Sequence, residues 1–175
     1  MNKREMFSFI KKLSPEDGFQ ILLDLLVDRP ELLKQAYFMA KPVADGDEEK
    51  IADDVFQRLD MLTYDEAENK AAGAKYGPYD LGDACEELFQ ETMEPFMDEL
   101  IDRVKKGKAK EAKTFCIGII KGLLKYSDES VSDFQNAVVD CPWDIARDAQ
   151  SEWLKIKPNA KDVKEVDKLF PKDWP

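Results

Sequence analysis

Carboxylates are the only abundant side chains in this sequence that could carry out acid–base or metal chemistry. The 175 residues include 37 aspartates and glutamates but no histidine. The usual general base near neutral pH and the commonest nitrogen ligand of metals are therefore missing. Serine–histidine and cysteine–histidine nucleophile pairs are excluded for the same reason. The sequence predicts that the protein is not an enzyme, has no catalytic residues and uses no cofactor.

Two groups of carboxylates are dense enough to be considered as metal sites. The first consists of Asp45, Asp47, Glu48, Glu49, Asp53 and Asp54. Its glycine comes too early for a calcium-binding loop, so we interpret it as a solvated acidic loop and helix start. The second consists of Glu86, Glu87, Glu91, Glu94, Asp98 and Glu99. Helical di-metal sites need a Glu-x-x-His motif, so we interpret this group as an exposed acidic helix face and predict no metal.

The three cysteines indicate a reducing compartment. Cys85, Cys116 and Cys141 are far apart in the sequence and lie on apolar faces, which is typical of reduced, buried thiols in the cytoplasm. The N-terminal residues 2–13 are too charged for a signal peptide and form an amphipathic helix pattern. No apolar run reaches the ~20 residues of a membrane span. We therefore expect a cytoplasmic protein without a membrane partner.

The segments that carry the carboxylates and cysteines all show sequence patterns typical of helices. Ser14 is suited to an N-cap before Pro15, and Thr63 forms a capping box with Glu66. Sustained alternation of period two is absent, so strands are not expected. Short turns separate successive amphipathic helices. The predicted fold is all-α, with antiparallel helix pairs in a bundle or a short helical-repeat array.

The stretch 109–126 is predicted to form the central helix of the core. Its apolar residues cover about half of the helix circumference, more than a surface helix shows. Gly118 and Gly122, four residues apart, mark either a close approach of two helices or positions that accommodate bulky neighbours.

Residues 80–106 form the longest periodic segment. The apolar face before Pro95 is rotated by roughly 100° from the face after it. We therefore expect a kink or break near Glu94. Residues 1–175 are predicted to form one domain, and the loop 73–79 is where two lobes would meet. Before it, the helices over 15–26 and 31–38 are expected to pack against each other.

Several pieces of this sequence together suggest a family. Leu13-Ser14-Pro15-Glu16 leads into LLDLLVDRPELL, a long helix ends at Gly107 before Glu111-Ala112, and the next helix closes on Ser127-Asp128-Glu129-Ser130. Over residues 10–130 this order resembles the α-helical repeat region that accompanies SWIM-type zinc fingers in prokaryotic proteins. The resemblance implies an all-helical scaffold. The zinc finger itself is absent, because the chain has no histidine and no close cysteine pair, so no metal site is implied.

The charges indicate a binding protein. Residues 41–100 carry five positive and 18 negative groups, and residues 101–125 carry eight positive and two negative. This balance disfavours nucleic acid. We expect a non-enzymatic helical-repeat scaffold or protein–protein interaction module. The alternative is an acidic inhibitor or mimic that binds a basic partner through residues 45–99.

The expected docking surface for a protein partner combines a loop with the acidic helix that follows it. Two tyrosines of the loop have little helical pattern to bury them, and exposed aromatics beside charged residues are frequent in binding centres. The alternative is that these tyrosines close the loop onto the core. The proposed partner-binding residues are Tyr76, Tyr79, Glu86, Glu87, Glu91 and Glu94.

Overall fold

A computed structural model describes residues 14–27, 29, 43, 46–73 and 80–171, without the side chains of Pro15, Leu25, Leu26 and Gly73. The chain divides into two compact units, Met1–Pro42 and Val43–Pro175. In the described part of the first unit, α1 spans Pro15–Val27. Ser14 begins it as predicted, because its Oγ accepts the Asp17 N–H at 3.1 Å. The expected helices over 2–13 and 31–38 lie outside the described residues.

The second unit is an all-α bundle, as the sequence predicts, and its described residues contain no strand. The helices in chain order are α2 (Glu48–Leu59), α3 (Tyr64–Gly73), α4 (Leu81–Lys105), α5 (Ala109–Glu129), a 3-10 turn (Asp133–Ala137), α6 (Cys141–Leu154) and α7 (Ala160–Asp167). The capping box at the start of α3 is present. The Glu66 N–H donates to Thr63 Oγ1 at 3.4 Å, and the Thr63 N–H donates to Glu66 Oε2 at 3.0 Å.

Helix α5 is the centre of the core, as its wide apolar face predicts. Its buried residues are Ala112, Phe115, Cys116, Ile117, Gly118, Ile119, Ile120, Gly122, Leu123 and Tyr126. Helix α2 makes the most extensive contact with it, and α4 and α6 also pack against it. The α2–α5 pair runs in the same direction, since Gly118 faces Ile51 and Gly122 faces Val55. The two glycines therefore mark a close approach of two helices.

Helix α4 continues through Pro95, so of the kink or break expected near Glu94, the break is wrong. A single buried stripe runs along the whole helix through Cys85, Phe89, Met93, Phe96, Leu100 and Arg103. Met93 connects the two halves of this stripe, which the sequence pattern had separated. Helices α3, α5 and α6 pack against α4. Their packing outweighs the loss of one backbone donor at an exposed proline.

The loop predicted to separate two lobes is outside the described residues from position 74 to position 79. The helices on its two sides contact each other, because Lys70 of α3 pairs with Glu87 and Glu91 of α4. A division into lobes at this loop stays a prediction. Among the helices that the structure describes, none combines the length and apolar character needed to cross a bilayer.

Candidate functional site

The structure places one continuous set of carboxylates on the solvent side of α4. We call it the acidic face; its members are Asp83, Glu86, Glu87, Glu91, Glu94 and Asp98. Spacings of mostly three and four residues put these side chains on one side of the helix. The opposite side carries the buried stripe, so core packing fixes the direction in which the carboxylates point. Four of the six residues expected to bind a partner lie on this face.

One cation lies against the acidic face among the described residues. The Lys70 ammonium is 2.8 Å from Glu91 Oε1 and 3.4 Å from Glu87 Oε2. Burial alone would lower the pKa of Lys70, but the hydrogen bond to Glu91 and the charges of Glu91 and Glu87 raise it above its ordinary value. Lys70 therefore stays protonated at physiological pH and neutralises one part of the face.

Among the described residues, no such cation lies against Asp83, Glu86, Glu94 or Asp98. Asp83, Glu86, Glu94 and Asp98 are exposed, and none of them forms an ion pair with another residue in the described ranges. Tyr76 and Tyr79, the two aromatics predicted to belong to the same surface, lie outside the described residues.

The carboxylates of α2, by contrast, are engaged inside the fold. Glu48 and Glu49 contact the Lys121 ammonium at 3.2 and 2.5 Å, and Asp53 contacts Lys125 at 2.8 Å. Asp47 is the N-cap of α2 and accepts the Lys50 N–H at 3.0 Å. Glu48, Glu49 and Asp53 hold α2 against α5, so they are less available to a partner than the carboxylates of α4.

Asp54 corrects the interpretation of the first acidic group as wholly solvated. Its side chain is buried against Arg58, with Oδ2 3.3 Å from the guanidinium. The Arg58 guanidinium in turn lies 5.1 Å from the centre of the Phe96 ring on α4. The signal in the sequence was the i, i+4 spacing of the two charges on an otherwise apolar side of α2.

Some of the basic residues between Arg103 and Lys113 are used within the fold. Arg103 is buried over the Phe115 ring and is 2.8 Å from Glu99 Oε1. Lys113 binds Asp162 and Glu165 of α7 at 2.6 and 2.7 Å. Lys105 and Lys110 remain exposed. The basic residues of segment 103–113 therefore make separate contacts and do not form one continuous basic surface. The sequence did not reveal that α7 supplies the partners of Lys113.

The three thiols have an environment that suppresses their chemistry. Burial raises the pKa of Cys116 to about 12 and that of Cys141 to about 11. The pKa of the Cys85 thiol is also raised, first by burial and then by the charge of Glu86. A thiol with a raised pKa is a poor nucleophile near neutral pH. In the part of the chain that the structure describes, no three potential metal ligands come together.

Comparison with known proteins gives no relative: no family model matches the chain, and neither a curated protein nor a solved structure matches it. The resemblance to the helical repeats beside SWIM-type zinc fingers therefore stays a prediction.

Proposed function

We propose that the protein is a non-enzymatic α-helical interaction module that binds a protein partner through the acidic face of α4. One observation carries this proposal: four carboxylates of that face are exposed without an ion pair among the described residues, whereas those of α2 are paired. Unpaired like charges on one side of a helix repel each other. A basic surface docked on them would relieve that repulsion and speed association.

The second candidate is an acidic inhibitor or mimic that binds a basic partner through residues 45–99. The exposed carboxylates of α4 support this candidate, and we infer that they would supply most of the contact within residues 45–99, because those of α2 are paired with α5. The two candidates differ in their salt dependence. A mimic that binds by charge alone should lose its partner steeply as salt rises, while a scaffold that also buries apolar surface should not.

The proposal places the protein in the cytoplasm. All three cysteines are free, and two are fully buried, which suits a reducing compartment. The partner is expected to be a protein, because the net charge of -11 opposes binding to nucleic acid.

Affinity capture from an extract of the source cells tests the proposal. The native chain is compared with a Glu86→Lys/Glu94→Lys variant, which reverses two exposed charges without touching the buried stripe of α4. The matched control is Asp128→Lys/Glu129→Lys, because these exposed carboxylates end α5, away from the acidic face. Proteins captured by the native chain and the control, but not by the α4 variant, support the proposal. Equal capture by all three proteins rejects it.

A further inference from the structure

Helix α7 turns its carboxylates toward the fold. Asp162 and Glu165 bind the Lys113 ammonium of α5 at 2.6 and 2.7 Å. Asp167 accepts the Gln150 amide of α6 at 2.7 Å. All three negative side chains of this short helix are thus engaged by α5 and α6.

The lysines of α7 and of the residue that follows it have no such partners among the described residues, although Glu165 lies beside them. Lys161, Lys164 and Lys168 are exposed, and none of them has an ion-pair partner in the region that the structure describes. Together with Ala160 and Glu165 they line an open surface depression of about 480 Å³. The lysines of α5 behave differently, because Lys121 and Lys125 are both paired with α2. We call Lys161, Lys164 and Lys168 the basic ridge.

The basic ridge and the acidic face have charges at matching intervals. The lysines are three and then four residues apart, and so are Glu91, Glu94 and Asp98, of which Glu91 is already paired with Lys70. With a rise of about 1.5 Å per residue, both sets place charges at about 0, 4.5 and 10.5 Å along a helix axis. Two helices laid side by side in the same direction would bring Lys164 and Lys168 to Glu94 and Asp98, and Lys161 to the Glu91 that Lys70 already contacts.

We propose that the basic ridge docks on the acidic face of α4 in a second copy of this chain. The inference rests on the proposed function, since it uses the same acidic face, and charge complementarity identifies the occupant. The contact joins two different surfaces, so it can continue head to tail from copy to copy or be formed twice about a two-fold axis.

The strength of exposed ion pairs, the net charge of the chain and the salt concentration determine when this association should occur. Exposed ion pairs are individually weak, so a polar contact of this kind is transient. The net charge of -11 opposes it at long range. At about 0.15 M ionic strength the Debye length is about 8 Å, so repulsion between distant charges is screened more than the pairs in contact. The association should therefore appear at high protein concentration in physiological salt and weaken at about 1 M salt.

Sedimentation velocity of the full chain over a range of concentrations tests the proposal. The native protein should show a sedimentation coefficient that rises with concentration. Two variants should each self-associate at least about tenfold more weakly than the native chain. They are Lys161→Glu/Lys164→Glu/Lys168→Glu and Glu94→Lys/Asp98→Lys. Lys105→Glu/Lys110→Glu, which reverses two other exposed lysines, should associate like the native chain. Circular dichroism checks that every variant keeps its helix content.

Mixing the two charge-reversed variants is the decisive arm. In each variant alone, the ridge and the α4 face carry charges of the same sign. In the mixture, the ridge with three glutamates in one variant meets the α4 face with two lysines in the other. The mixture should therefore regain association. A native chain that stays monomeric at every concentration, or association that neither reversal weakens, overturns the proposal. Loss of self-association with retained partner capture would leave the proposed function standing.

Discussion

Gly118 of α5 lies directly against Ile51 of α2. A Cβ placed on Gly118 would be 2.6 Å from the Ile51 Cβ and 3.0 Å from the Glu48 carbonyl oxygen. One turn later the relationship repeats, with a Cβ on Gly122 2.6 Å from the Val55 Cβ. The missing side chains let the two backbones approach. This approach brings Lys121 to the carboxylates of α2.

Replacing Gly118 by Ala should destabilise the protein. Alanine favours a helix by about 1 kcal/mol over glycine, but the new methyl would meet the Cβ of a β-branched residue and a backbone oxygen, neither of which can rotate away. Overpacking of a core typically costs 1–3 kcal/mol. We expect a net loss of about 1–2 kcal/mol in urea unfolding.

Gly82→Ala is the matched control for this substitution. Gly82 also lies in a helix, but a Cβ there meets only the Asp80 carboxylate, at 3.5 Å. The control should therefore be neutral or stabilising. If Gly118→Ala were as stable as this control, α2 and α5 would not be in contact as described.

The sequence predicted what depends on local patterns. The caps at Ser14 and Thr63 and the central position of 109–126 follow from residues within a few positions of each other, and the structure has all three. Such signals act over one helical turn, where the physics of capping and amphipathicity is complete. The acidic face of α4 was predictable for the same reason.

The sequence could not predict relationships between distant segments. It left the role of Gly118 open, because only the identity of the facing residue, Ile51, decides it. It predicted a kink or break near Glu94, and the helix does not break there, because the packing that keeps α4 continuous comes from other helices. It also treated Asp54 as solvated, although its side chain is buried against Arg58, which lies over the Phe96 ring of α4. In each case tertiary contacts outweighed a local preference.

The native thiols should react slowly with a disulfide reagent at pH 8. Cys85 and Cys116 are fully buried, and the pKa of all three thiols is raised. Cys141, which is half-buried, should react first. In urea, all three thiols should react rapidly and at similar rates. Absorbance of the released thiolate gives the rates, and mass spectrometry assigns them. Cys116 reacting as fast in the native protein as in urea would contradict this prediction.

The same burial should make stability fall at alkaline pH. The pKa of Cys116 rises from an ordinary 9.0 to about 12 on folding, so the unfolded chain loses this proton first. The contribution of the protonated Cys116 thiol to the free energy of unfolding is complete below pH 9.0, and it is lost as the pH rises toward the folded pKa. By pH 10 the loss is about 1.4 kcal/mol for this thiol. In urea unfolding between pH 8 and 10, Cys116→Ala should show a shallower decline than the native protein; an equal slope would refute the assignment.

The contact between Lys113 and Asp162 should be visible in the titration of the carboxylate. The hydrogen bond from the ammonium holds the pKa of Asp162 below its ordinary value of 3.8. The contribution to stability is therefore present above pH 3.8 and disappears as the pH falls through the lower, folded pKa. NMR titration should show the depressed pKa in the native chain and a return toward 3.8 in Lys113→Met. Lys110→Met, an exposed neighbour without an ion pair among the described residues, should leave the titration unchanged.

The buried pair Asp54–Arg58 should be costly to break and cheap to replace. Asp54 is 3% exposed and Arg58 8%, so Arg58→Met would remove the guanidinium from beside a buried carboxylate and should cost about 3–5 kcal/mol in urea unfolding. The double variant Asp54→Leu/Arg58→Met fills the same space with apolar groups and should recover most of that loss, since apolar replacements of buried ion pairs are often neutral. Methionine also keeps contact with the Phe96 ring, over which Arg58 now lies. A single variant within about 1 kcal/mol of the native chain, or a double variant no more stable than the single, would show that this pair does not act as a buried ion pair.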